Sequence, residues 1–134
     1  MEKEITIQNK DLKNYMDEFN RDVNLSIGNL REKSMMLSST RAKWLGYYMA
    51  EKENLQRIQK TKSNLIAKKV ETGTSVLRLK NEDTILQNDE TMQKLNRLQE
   101  LTKENIDYLE RCMNILADMG FSIKNTIEIY KLQQ

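Results

Sequence analysis

Arg41, Lys43, Lys52, Arg57, Lys60, Lys62, Lys68 and Lys69 stand between residues 41 and 70 against two acids, Glu51 and Glu53, a local balance of +6. From Asn54 to Val70 there is no acid at all, although the whole chain is only +2. Cationic side chains gathered in this way neutralise a polyanion, and phosphate is the anion such blocks meet. Lysines outnumber arginines four to one in the acid-free run. A lysine meets phosphate largely as a point charge and does not read guanine with a planar fork, so the expected contact is with a nucleic-acid backbone. The candidate nucleic-acid-binding residues are Arg41, Lys43, Arg57, Lys60, Lys62, Lys68 and Lys69. Trp44, Tyr47 and Tyr48 lie at the N-terminal side of this block. Bases stack on such rings. Trp44 falls on the apolar stripe and is expected in the core, which leaves Tyr47 as the stacking candidate.

Other chemistries find little support. The chain has no histidine, which removes the commonest general base and zinc ligand. Its single cysteine, Cys112, forms no intramolecular disulfide and has no histidine to activate it. Neither of the familiar glycine-rich phosphate loops is present. Aspartates and glutamates fall at helix-surface spacing, where a solvated face accounts for them. The expectation is a protein that is not an enzyme, with no cofactor and no metal.

These residues need elements to position them. The 134 residues contain no proline and four glycines, too few turn formers for an all-β fold. No apolar run reaches the length of a membrane span. The expected fold is all-α: two long amphipathic helices in an antiparallel hairpin, with short N- and C-terminal helices. Residues 1–30 form an arm and a short helix, in which Leu12, Tyr15, Met16, Phe19 and Val23 step by three and four. A long basic helix over 31–72 follows a break at Gly28, and Gly73 suits its end. Residues 73–88 read as a loop. A second long helix over 89–119 opens at Asn88-Asp89, either of which can cap it. Leu95, Leu98, Thr102, Asn105, Leu109, Cys112, Leu116 and Met119 alternate along it by three and four, the pattern of a coiled-coil seam. Asn105 reads either as a tolerated polar residue or as a register device. Gly120 is expected to end this helix and Ser122 to start a terminal one over 121–134, carrying Ile123, Ile127 and Tyr130.

Helices striped in this way are expected to pair and then to associate between chains. The candidate oligomerisation residues are Leu109, Leu116, Phe121, Ile123, Ile127 and Tyr130. On the first long helix, Arg57, Lys60, Asn64 and Lys68 lie within about 80° of one another and form one basic ridge, which reads equally as a solvated helix face and as a nucleic-acid contact. Lys62 and Lys69 lie on the apolar side, where long stems cover the stripe and ammonium groups reach water.

Several segments together resemble a known family. Leu12 with the stretch to Asp22-Val23, then Leu30, Lys43-Trp44-Leu45 and Arg57-Ile58 fall in its order and spacing. Ile66-Ala67-Lys68-Lys69-Val70-Glu71 stands where the family has L-K-A-R-L-D, and Gly120-Phe121-Ser122-Ile123-Lys124 where it has G-F-A-I-K, with Ile127 one turn on. The chain resembles the UvsY-like recombination mediators of T4-like bacteriophages. Ala67 replaces the family's lysine and Lys68 follows it, so that charge points about 100° away. The resemblance implies a ring-like homo-oligomer, a hexamer or heptamer, that binds single-stranded DNA. It also implies partners: a RecA-like (UvsX-type) recombinase and the phage single-strand-binding protein, met in the cytoplasm of the infected host, with no membrane and no cofactor. The reading that competes with it is a structural coiled-coil scaffold or adaptor without nucleic-acid binding. A membrane-surface helix fits less well, because no wide, bulky apolar face lies beside the lysines.

Overall fold

The computed structural model describes residues 11–72 and 89–133. The expectations for the N-terminal arm, for Gly73 and the 73–88 loop, and for capping by Asn88 lie outside the described residues. Three α-helices account for almost all the rest, and the described residues contain no strand. They are α1 (Leu12–Asp22), α2 (Leu30–Thr72) and α3 (Glu90–Gln133), with one 3-10 turn at Ile27–Asn29 before α2. In that turn Asn29 accepts from the Ser26 amide at 2.8 Å and donates to the Asn24 carbonyl at 3.0 Å, which fixes the break at Gly28. Asp89 caps α3: its carboxylate accepts the Met92 amide at 3.1 Å.

The described chain forms two compact units, and α2 and α3 contribute to both. The first comprises residues 11–50 and 105–133. Its core is Tyr15, Phe19, Trp44, Leu109, Cys112, Leu116, Met119 and Ile123. An 11-residue helix is marginal alone, and α1 persists by docking. Phe19 meets Trp44 edge-on at 5.0 Å, and Tyr15 lies 6.2 Å from the same indole. Within this unit Tyr48 reaches Glu110 at 3.1 Å, while Leu37 lies beside Gly120. The α2 and α3 segments here therefore run in opposite directions.

The second unit comprises residues 51–72 and 89–104. Ile58, Met92 and Leu95 form its buried apolar core, with Glu51 and Thr102 buried beside them. Thr102 donates to the Leu98 carbonyl at 2.7 Å, so its hydroxyl sits in the seam without an unmet hydrogen bond.

Two expectations need correction. No break occurs at Gly120, and α3 runs without interruption from Glu90 to Gln133, so residues 121–133 are its last turns. Ile123 stands seven residues after Leu116 and is 2% exposed, and Ile127 packs against the same core. Burying two isoleucines at about 1.5–3 kcal/mol each outweighs the cost of about 1 kcal/mol for a mid-helix glycine. The seam is also not left bare for another chain. Each unit buries its share of it internally, through Leu95 and Thr102 in one and Leu109, Cys112, Leu116 and Met119 in the other.

Candidate nucleic-acid interface

Each basic side chain of the 41–70 block is placed by the face of α2 on which it falls. Trp44 and Ile58 are fully buried and define the inward face. Arg57 and Lys60 stand about 100° and 160° from Ile58 around the axis and are exposed. Among the described residues neither cationic head has an ion-pair or hydrogen-bond partner. Asn64 and Lys68 are also exposed, so the ridge read from periodicity stands on the solvent side of the helix. From Arg57 to Lys68 it covers about 16 Å of axis.

Lys62 projects differently. It is half-buried, and its ammonium donates to the Gln99 side-chain carbonyl at 2.7 Å across to α3 within the same unit. An amide partner fixes the lysine without neutralising it. Lys69 is placed on the last turn of α2 by its backbone.

Arg41 and Lys43 lie in the other unit. Arg41 is exposed and lines a groove of ≈ 220 Å³ with Ala42, Leu45, Met113 and Leu116. Lys43 is engaged within the protomer: its ammonium lies 2.6 Å from Asp22 and 3.5 Å from Glu18, both on α1. Asp22 also accepts the Trp44 indole N–H at 2.8 Å. Burial works against the charge on Asp22, but hydrogen bonds from Lys43 and Trp44 outweigh it and hold the carboxyl below its ordinary 3.8. Burial likewise opposes the charge on Lys43, and Asp22 overcomes it, so this lysine titrates above 10.5.

The aromatic residues are structural. Trp44 is wholly buried, as its place on the stripe implies. Tyr47 differs from its expected stacking role. Its ring packs 5.4 Å from Tyr15 and 5.2 Å from Trp44, and its hydroxyl donates to Glu18 at 3.2 Å. The arrival of α1 over this part of α2 enlists Tyr47 in the aromatic core. Sequence spacing carries no signal for that contact, nor for Asp22 and Glu18 as the partners of Lys43.

The residues singled out for self-association separate into two sets. Leu109, Leu116 and Ile123 lie inside the core of their own unit, and Ile127 packs against it. Phe121 and Tyr130 face solvent, and the exposed Ile129 and Leu132, which periodicity alone did not single out, join them.

The model of the family described as recombination, repair and ssDNA binding protein UvsY matches residues 18–134. The fold is similar to crystal structures of the bacteriophage T4 recombination mediator protein UvsY. The lattice type IV structure superposes with a TM-score of 0.80 at 17% identity, covering 93% of this chain and 100% of that one. The lattice type II structure gives 0.78 at 17% identity, covering 93% and 98%. No curated protein sequence matches the chain.

Proposed function

The chain belongs to the UvsY family of recombination mediators, and on that premise we propose that it binds single-stranded DNA as a ring-like homo-oligomer of helical-hairpin protomers. On DNA covered by single-strand-binding protein it promotes loading of a RecA-like recombinase, serving phage recombination, replication and repair in the infected cell. The observation that supports this reading is the outward ridge of Arg57 and Lys60, continued by Asn64 and Lys68, in a segment with no acid.

The mechanism is electrostatic. Each phosphate neutralised by a lysine or arginine releases condensed counterions and contributes about 0.7 to the salt slope on a single strand. Four contacts per protomer, with Lys69 completing the set, give a slope of roughly −3. Several protomers on one strand multiply the effect through effective concentration. A surface of this kind holds the strand by its backbone and leaves the bases open to an incoming recombinase. The test is equilibrium binding to homopolymeric and mixed-sequence single strands from low to moderate salt. Affinity should fall steeply with salt and differ little between sequences. Absence of binding at low salt would overturn the proposal and favour a scaffold without a nucleic-acid role. Loading is read as a shortened lag in recombinase activity on strands coated with single-strand-binding protein.

A further inference from the structure

The unit of residues 51–72 and 89–104 carries cations that the ridge on α2 does not include. Lys94 and Arg97 stand on α3 in a stretch, Thr91 to Gln99, that holds no acid. Both are exposed, and among the described residues neither has an ion-pair or hydrogen-bond partner. Further along α3 the signs mix, as Lys103 beside Glu104 and Arg111 beside Glu110 show. Leu101, one turn on from Arg97, is 47% exposed. Lys94, Arg97 and Leu101 fall within about 60° of one another around the axis.

The Lys62–Gln99 hydrogen bond sets the register of the two helices in this unit. Each helix is unbroken, and they run in opposite directions. Lys68 lies six residues on from Lys62, and Lys94 lies five back from Gln99. The two lysines therefore stand within about 2 Å of the same level. By the same count, the acid-free end of α2 lies abreast of the acid-free stretch of α3. Lys62 and Gln99, which touch, stand about 40° from the buried Ile58 and Leu95, on one side of the pair. Lys68 stands about 80° from Ile58 and Lys94 about 100° from Leu95 in the opposite sense, so both share the other side. Packed helices lie about 8–10 Å apart, which long cationic side chains span. Like charges gathered without an acid repel one another, and a bound polyanion relieves that repulsion. We propose that the bound strand leaves the ridge at Lys68 and crosses onto α3, where Lys94 and Arg97 take its next phosphates beside Leu101. This deepens the single-strand binding proposed above and rests on it. It raises the contacts per protomer from four to six, and the salt slope from roughly −3 to roughly −4.

The test titrates the full chain against a fluorescent single strand of thymidines at several salt concentrations. Lys94→Ala with Arg97→Ala should weaken binding and reduce the magnitude of the slope by about 1.4 per protomer. Exchanging the two, Lys94→Arg with Arg97→Lys, keeps both charges and should keep the slope. Lys103→Ala with Lys124→Ala removes equal charge and should leave the slope unchanged, since Lys103 stands about 120–180° around α3 from this face. If the alanines lower helix content, Lys94→Gln with Arg97→Gln replaces them and should act in the same way. The path is read separately by a photo-crosslinker attached through Leu101→Cys or Lys103→Cys, Cys112 being buried. The strand should be captured from the first position and not from the second. A Lys94 and Arg97 variant that keeps the wild-type slope, or loses no more than the control, overturns the inference. Equal capture from both positions does so too. A wild-type chain that binds no single strand, or an Arg57→Ala with Lys60→Ala variant that keeps the full slope, refutes the underlying reading instead.

Discussion

Asp22 joins two residues that the sequence places a helix away. Its carboxylate takes the Trp44 N–H at 2.8 Å and the Lys43 ammonium at 2.6 Å, tying α1 to α2 beside the aromatic core. The carboxyl titrates below 3.8, so its contribution to stability is complete above that value and is lost as pH falls through the lowered one. Lys43 titrates above 10.5, so its share is complete below that value and is lost as pH rises through the higher one. Between those limits Asp22→Asn should cost about 1 kcal/mol, a modest figure because the lysine is well exposed and water screens the pair. Urea midpoints of variant and wild type should differ at pH 7 and converge toward pH 3. A gap that stays constant would assign the loss to packing. The Cys112 thiol is a second residue-scale test. Burial drives its pKa to about 11, only partly offset by a hydrogen bond from Tyr108, whose own hydroxyl burial raises to about 12. At pH 8 the folded chain should react with a thiol reagent orders of magnitude more slowly than the chain in denaturant. Prompt labelling of folded protein would show that the core opens locally.

At the scale of the element, the helices were legible wherever an apolar period ran long enough. Tyr15 and Phe19 mark the buried side of α1, and the three-four alternation from Leu95 to Met119 marks the buried side of α3. Gly120 was not legible, because glycine's low propensity is local while the burial that overrides it, that of Ile123 and Ile127, depends on a core built from residues distant in the chain. The apolar stripe of α1 was readable. That it would cover Tyr47 and hold Lys43 was not, since both follow from contacts distant in the chain. Continuous helices at both glycines make two predictions. Gly46→Ala should stabilise the protein by about 1 kcal/mol, since helix propensity improves and the new methyl meets nothing within 4 Å. Gly120→Ala should also stabilise it, by less, because its methyl lies 3.4 Å from the Leu37 side chain. Thermal or urea unfolding reads both, and a fall for Gly120→Ala would show that Leu37 cannot give way. Deleting residues 121–134 should lower the stability of the protomer itself by several kcal/mol, because Ile123 and Ile127 leave the core. A truncated chain with smaller mass but unchanged unfolding midpoint would assign those turns to assembly alone.

At the scale of the molecule, a chain with net charge +2 binds a polyanion by where its charges stand, since their sum is small. Arg57 and Lys60 are exposed on one ridge, with no partner for their charges among the described residues. Replacing both by Ala should weaken single-strand binding and reduce the magnitude of the salt slope by about 1.4 per protomer, at about 0.7 for each phosphate no longer neutralised. Helix content and assembly mass should not change, because neither side chain packs in a core. Lys68→Ala with Lys69→Ala should act in the same direction. Lys43→Ala removes one positive charge from the same block, yet that charge is already balanced by Asp22 and Glu18. It should lower the unfolding midpoint and leave the salt slope nearly unchanged. The control for net charge is Lys103→Ala with Lys124→Ala, which takes two exposed charges from α3, outside the block. Titrations of all four variants against one oligonucleotide at several salt concentrations separate the alternatives. A slope reduced only by the ridge variants locates the phosphates along α2. Equal losses in the ridge and α3 variants would mean that the strand responds to total charge, and that the ridge is a solvated helix face.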